Sequence, residues 1–123
     1  MSTIKTYRDL LVWQRAMELA KAVYLATQTF PKVEQFGLTN QLRRSVVSIA
    51  SNIAEGNGRG SPQDYVRFLH ISRGSLFEAQ TQIELAHRLA YLTAAESTPL
   101  LSLCNEIERM LNTILTKLQA PLR

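Results

Sequence analysis

The chain has little of what disulfide-stapled, secreted or membrane-spanning proteins require. A single cysteine among 123 residues rules out an intramolecular disulfide and fits a reducing compartment. No window approaches the roughly 18 consecutive apolar residues of a membrane span, and the first residues contain no apolar run of signal-peptide length. We therefore expect a cytoplasmic protein. Proline and glycine are also sparse, at four and five residues, which leaves long stretches without helix breakers.

The residues that are present describe a globular protein with a basic bias. Apolar residues make up 46% of the chain and charged residues 20%, so we expect one domain over residues 1–123 with its own core. Residues 1–75 hold ten Lys and Arg against five Asp and Glu, and the net charge of the whole chain is +4. This bias suggests an anionic partner, although a solvated basic surface explains it at least as well.

Apolar residues recur with helical spacing in four segments that are separated by short breaks. The predicted helices cover about residues 7–29, 39–56, 62–91 and 94–119. Helices of this length with short connections predict an all-α fold, an antiparallel up-and-down four-helix bundle. Nothing in the sequence reads as a convincing strand.

Capping residues indicate where these helices begin. Thr6, Ser61 and Thr93 are each followed three residues later by a carboxylate, which is the pattern of a capping box. Thr98 followed by Pro99 is an alternative start for the last helix, and a kink near the proline would reconcile the two.

Apolar stripes indicate which helix faces are buried. The second helix carries a core seam of four residues, Leu42, Val46, Ile49 and Ile53. The first helix has two neighbouring stripes: Trp13, Met17, Ala20 and Tyr24 form one, and Val12, Ala16, Leu19 and Val23 form the other. Gly56 and Gly58 are expected to end the second helix in left-handed conformations.

The third predicted helix is apolar over a wider arc than a bundle core needs. Its heptad-type seam includes Leu69, Leu76 and Ile83, and further apolar residues widen the arc to about 200°. The excess predicts a subunit interface. The candidate interface residues on the second and third helices are Arg43, Val47, Ala54, Phe68 and Ile71.

No catalytic, metal or cofactor site stands out. Glu84 and His87 form the sole Glu-x-x-His pair, whereas carboxylate-bridged metal sites in bundles use two such pairs. The glycine-rich segment 56–60 follows a predicted helix and lacks the GK[ST] ending of a phosphate-binding loop. Cys104 lies in an apolar helical pattern and is expected to be a buried core thiol. We therefore expect a protein that is not an enzyme and holds no metal or cofactor.

Arginines cluster around the start of the third helix and suggest nucleic-acid binding. Arg67 and Arg73 lie along its polar border, Arg59 lies just before the helix, and Phe77 is an exposed-looking aromatic on the same side. Guanidinium groups and aromatic rings suit phosphate and base contacts. With Arg44 of the second helix, these three arginines are the candidate nucleic-acid-binding residues. A salt-bridged surface is the competing interpretation.

Three segments of the chain resemble one bacterial protein family. They are LLVWQRAMELAKAVY, FPKVEQFGLTNQLRRSVVSIASNIAEGNGR and DYVRFLHISRGSLFEAQTQIELAHRLAYL. The family is the four-helix-bundle proteins of 23S rRNA intervening sequences, related to the accessory variability protein of diversity-generating retroelements. Ala50 stands where the family commonly has proline, and Ala79-Gln80 replaces a commoner Leu-Glu pair.

The resemblance implies an assembly and partners that the residues alone do not give. It implies a homopentamer around a central channel and a basic surface suited to RNA or DNA. In the retroelement branch the partner is a reverse transcriptase with its template RNA. Together with the charge pattern, this predicts a non-enzymatic oligomeric scaffold that associates with nucleic acid. The alternative is a protein–protein adaptor that binds an acidic partner such as a polymerase-type enzyme.

Overall fold

A computed structural model describes residues 4–120 of the chain. Four α-helices make up most of it: α1 (Leu11–Ala26), α2 (Leu38–Gly58), α3 (Pro62–Arg88) and α4 (Ala94–Leu118). Short 3-10 turns at Tyr7–Asp9, Thr27–Thr29 and Lys32–Glu34 precede α1 or connect it to α2. No strand occurs within the described residues.

The helices pack as a four-helix bundle, as the sequence pattern predicts. Each helix contacts its neighbour in the chain, and α1 also contacts α4, which closes the bundle. The pairing of α2 with α3 is the most extensive of these contacts. None of the helices between residues 4 and 120 is long and apolar enough to cross a membrane.

The core contains the seams predicted for α2 and α3. All four α2 seam residues are at most 1% exposed, and Leu69, Leu76 and Ile83 of α3 are fully buried. On α1 the structure buries the stripe of Val12, Ala16, Leu19 and Val23, whereas Met17 and Tyr24 of the other stripe are exposed. Cys104 is buried among the apolar residues of α4, as expected.

The predicted capping residues start helical segments, with one difference. Ser61 accepts a hydrogen bond from the backbone N–H of Asp64 at the start of α3. Thr93 forms a complete capping box with Glu96, so α4 starts there and runs through Pro99 without a second start. The capping box of Thr6 closes the 3-10 turn instead of α1, because the extended backbone of Leu10 separates the two.

The end of α2 corrects the prediction for its glycines. Gly56 and Gly58 are helical, and Gly60 is the glycine with positive φ, at 79°. Gly56 has a packing role instead, since a Cβ there would lie 2.7 Å from Cβ of Phe68 and 3.3 Å from the Tyr65 carbonyl oxygen. α3 ends at Arg88, before the predicted residue 91, and Ala90 adopts a left-handed φ of 63° in the turn to α4.

Candidate nucleic-acid interface

Two of the predicted arginines meet over one aromatic ring at the α2–α3 turn. Arg59 directly follows α2, and Arg67 lies in the second turn of α3. Their Cζ atoms lie 5.0 and 4.4 Å from the ring centroid of Phe68. Guanidinium groups stack on aromatic faces and retain their in-plane N–H donors for other partners. We call these three residues the arginine cluster.

The position of Phe68 depends on the close approach of α2 and α3. Phe68 is 8% exposed, and its Cβ lies where a side chain on Gly56 would have to go. Gly56 has no side chain, so the first turns of α3 pack directly against the last turns of α2. The ring is thereby fixed between the helices and supports both guanidinium groups at the surface.

The ion pairs of the arginine cluster are long and exposed. Arg59 Nε lies 3.4 Å from Oε2 of Glu55, and Arg67 Nη2 lies 3.6 Å from Oδ1 of Asp64. Charge-assisted hydrogen bonds of this type are usually about 2.7–2.9 Å long. The two guanidinium side chains are 47% and 57% exposed. Exposed pairs of this kind contribute about 0–1 kcal/mol, so a phosphate can compete for both arginines.

Arg73 and Arg44 lie apart from the arginine cluster. Arg73 donates a hydrogen bond of 2.8 Å to Oδ1 of Asn112 on α4 and contacts Nδ1 of His70 at 3.1 Å. These contacts place Arg73 on the α3–α4 side of the bundle. Arg44 is exposed near the start of α2 and lines a groove between α2 and α3. The four predicted arginines are therefore distributed over three places on the surface.

Arg43, a predicted interface residue, makes its contacts within the subunit. Its Nε donates to Oγ1 of Thr27 at 2.9 Å, and its Nη2 donates to the Tyr24 carbonyl oxygen at 3.2 Å. The guanidinium group also lies 4.6 Å from the centroid of the Tyr24 ring. Arg43 thus ties α2 to the last turn of α1.

The other interface candidates differ in exposure. Phe68 is packed within the subunit, as described above. Val47 and Ile71 are 43% and 44% exposed, and Ala54 is half-buried on α2. Exposed Phe77 and Leu85 on α3, and Leu89 directly after it, extend the apolar surface beyond Ile71. A subunit interface through this surface stays a prediction.

Polar side chains meet in a groove between α2 and α3 that the sequence analysis did not identify. Its volume is about 400 Å³. Near it, Ser48 and Ser75 share a hydrogen bond of 2.8 Å between their hydroxyl oxygens, and Ser72 donates one of 2.8 Å to the Ile49 carbonyl oxygen. The lining residues are Asn40, Gln41, Arg44, Ser45, Ser48, Ser75, Glu78 and Gln82. We call this the polar groove.

The signal for the polar groove was present in the sequence as serines with helical spacing. Ser45 and Ser48 on α2, and Ser72 and Ser75 on α3, recur at a spacing of three residues. Ser72 falls in the buried seam of α3, where the pattern alone shows it as a small residue. The serines can be joined into one feature only when the rotation of α2 against α3 is known.

Both histidines make hydrogen bonds within the protein, so a structural role explains their presence. His87 Nδ1 lies 3.0 Å from the Leu92 carbonyl oxygen at the end of α3, and His70 contacts Arg73 as described. Among residues 4–120 there is no group of three or more His, Cys, Asp or Glu side chains that could hold a metal ion. We take the arginine cluster and the polar groove as the candidate binding features of this surface.

Comparisons with other proteins agree with the resemblance seen in the sequence. The family model described as "23S rRNA-intervening sequence protein" matches residues 8–113. A solved structure of a protein with unknown function, from the S23 ribosomal protein family of Bacteroides thetaiotaomicron VPI-5482, is also similar. Its TM-score is 0.77 and its sequence identity 26%, over 85% of this chain and 98% of that chain. No protein with a curated description matches. Since the family match spans most of its length, this chain belongs to the 23S rRNA-intervening sequence protein family.

Proposed function

We propose that the protein is a non-enzymatic, oligomeric scaffold of the bacterial cytoplasm that associates with RNA or DNA through its basic surface. The observation that carries this proposal is the arginine cluster. Two exposed guanidinium groups lie 5.0 and 4.4 Å from the centroid of one ring, and their carboxylate partners lie at 3.4 and 3.6 Å. Phosphate oxygens offer the shorter, bidentate contacts that these carboxylates do not make.

Assembly of several subunits would raise the affinity that these phosphate contacts provide. Each subunit of the proposed homopentamer presents one arginine cluster, so a nucleic-acid chain can contact several clusters of one assembly. Once one cluster is bound, the next contact is intramolecular and its effective concentration is high. Such binding depends on the phosphate backbone, tolerates many sequences and weakens steeply with salt.

The test is a fluorescence-polarisation titration of labelled single-stranded RNA over a series of salt concentrations. The variant is the double replacement Arg59→Gln and Arg67→Gln. The matched control is Arg88→Gln with Arg109→Gln, which removes the same charge from exposed arginines of α3 and α4. We expect the cluster variant to bind weakly and to lose about 0.7 from the log–log salt slope per lost phosphate contact. The control should retain most of the affinity.

Two results would contradict the proposal. One is that wild-type protein shows no affinity for RNA, single-stranded DNA or duplex at micromolar concentration, and the other is that the control weakens binding as much as the cluster variant. In the second case net charge, and not the arginine cluster, determines binding. Light scattering on each variant checks that the oligomer is unchanged.

A specific observation also favours the alternative function, a protein–protein adaptor. Val33 and Phe36, in the connection between α1 and α2, are 85% and 87% exposed. Exposed aromatic and aliphatic side chains of this kind are suited to anchor a protein partner. An acidic partner such as a reverse transcriptase would satisfy both these residues and the basic surface. Replacing Phe36 by Ser should weaken binding to such a partner and leave RNA binding unchanged.

A further inference from the structure

Five of the side chains that line the polar groove have free hydrogen-bonding capacity. Its serines are bonded within the protein: Ser45 to the Gln41 carbonyl oxygen, and Ser48 to Ser75. Within the described part of the chain, the side chains of the other lining residues make no hydrogen bond or ion pair with protein. These residues are Asn40, Gln41, Arg44, Glu78 and Gln82.

One of these groups is buried. Oε1 of Gln82 is inaccessible to solvent and has no hydrogen-bond partner within residues 4–120. A buried carbonyl oxygen without a donor costs about 1–3 kcal/mol. Gln82 lines the groove, which has a volume of about 400 Å³, so a ligand donor can pair with this oxygen once the Gln82 side chain turns toward the groove. That volume falls within the range of about 300–1,000 Å³ that is usual for ligand sites.

An aromatic wall adjoins the groove. A second depression shares Gln41, Glu78 and Gln82 with it and is also lined by Phe77. Phe77 is 45% exposed, so part of its ring is accessible to a ligand. A planar ligand can stack there while its polar edge reaches the groove.

We propose that the polar groove binds a guanine base of single-stranded RNA or DNA. This inference rests on the proposed function, which it deepens by naming the base. The groove presents an arginine on the α2 side and a carboxylate on the α3 side, and neither is neutralised by an ion pair within the described residues. An exposed base in a single strand is read through such groups on its edges.

Guanine matches this pair of charges better than the other bases do. Its O6 and N7 are adjacent acceptors for the forked donors of Arg44. Its N1–H and 2-amino group are adjacent donors for the two carboxylate oxygens of Glu78. Adenine has an amino group in place of O6 and would direct a donor at the guanidinium group. The side-chain amides of Asn40, Gln41 and Gln82 can donate or accept hydrogen bonds at the remaining edge of the base.

The experiment compares short oligouridines that carry one central guanosine, adenosine, cytidine or inosine. Binding is measured by fluorescence polarisation on wild type and on the Glu78→Gln variant. We expect guanosine to bind about five- to 150-fold tighter than adenosine or cytidine, the range for one good bidentate pair. Inosine, which lacks the 2-amino group, should lie between them. Glu78→Gln should remove the preference for guanosine.

Two further variants make the result specific. Glu84→Gln removes one carboxylate from an exposed position of the same helix and should leave the preference intact. Arg44→Lys retains the positive charge but loses the guanidinium fork, so it should reduce the preference with little change in binding to oligouridine.

The outcomes separate this inference from the proposed function. Equal affinity for all four oligonucleotides, with steep salt dependence, overturns the guanine site and leaves the scaffold proposal standing. No affinity for any oligonucleotide overturns both. If Glu78→Gln changes the oligomer in light scattering and the base preference is absent, the groove is a contact between copies of the chain, and the guanine site is again overturned.

Discussion

Replacing Gly56 by alanine adds a methyl group where α2 and α3 are already in contact. The new Cβ would lie 2.7 Å from Cβ of Phe68, 3.1 Å from Cδ1 of Tyr65 and 3.3 Å from the Tyr65 carbonyl oxygen. The carbonyl oxygen of Tyr65 is part of the backbone of α3, and Cβ of Phe68 is bonded directly to it. Neither atom moves when a side chain changes its rotamer, so a rotamer change cannot relieve the clash. Overpacking of this type costs about 1–3 kcal/mol, whereas alanine gains about 1 kcal/mol over glycine in helix propensity.

Gly74 offers a matched control for this change. It lies inside α3, and a Cβ added there meets no atom within 4 Å. Gly74→Ala should therefore gain about 1 kcal/mol from propensity alone. The free energies of unfolding of the two variants should differ by about 1–3 kcal/mol, the overpacking cost. Urea denaturation followed by circular dichroism measures both. If Gly56→Ala is as stable as Gly74→Ala, the close approach of the helices described above is wrong.

The remaining predictions concern the core, its thiol and the assembly. Leu76→Asp should prevent folding, because it buries an unpaired charge in the core; circular dichroism of a stable, helical variant would contradict the helix phase. Burial raises the pKa of the Cys104 thiol from 9.0 to about 12, so the unfolded chain ionises first as the pH rises. Ionisation of this thiol in the unfolded chain should then lower the free energy of unfolding by up to about 1.4 kcal/mol per pH unit above pH 9.0. Tyr65 and Tyr91, whose pKa values are also raised, add to this fall, so it should be smaller for the Cys104→Ala variant in pH-dependent urea denaturation. Light scattering after gel filtration should give about five times the subunit mass of 13.9 kDa, and a monomer at high concentration would refute the pentamer.

Sequence periodicity was sufficient for the bundle but not for every helix face. The α2 seam is unambiguous, because its opposite face is polar, and the structure buries all of it. In α1 two apolar stripes lie side by side, and either could face the core. The structure buries the stripe containing Leu19, while Met17 is 46% exposed. Periodicity gives the rotation of a helix only when one side is polar; otherwise the packing of its neighbours decides.

The glycines at the end of α2 show a second limit. A glycine near a predicted helix end indicates a left-handed residue in many proteins, but Gly56 is required for close packing instead. These two reasons for glycine are indistinguishable in sequence, because the second depends on which residue of α3 lies opposite.

The arginine cluster was only partly predictable for the same reason. Arg59 and Arg67 could be assigned to one region, but their common support on Phe68 depends on how α2 and α3 pack.

The arginine cluster and the polar groove lie at different positions along the axis of the same helix pair, α2 and α3. Arg44 and Arg59 are fifteen residues apart along α2 and its cap, which corresponds to about 22 Å at a rise of 1.5 Å per residue. One single strand that follows the α2–α3 seam could contact both places. With a phosphate every 3.4 Å or so along a stacked strand, about six or seven nucleotides would span them. The cluster would then hold the backbone at one end of the strand, and the groove would select a base at the other. Affinity from phosphates and selectivity from one base would thus come from separate parts of one helix pair.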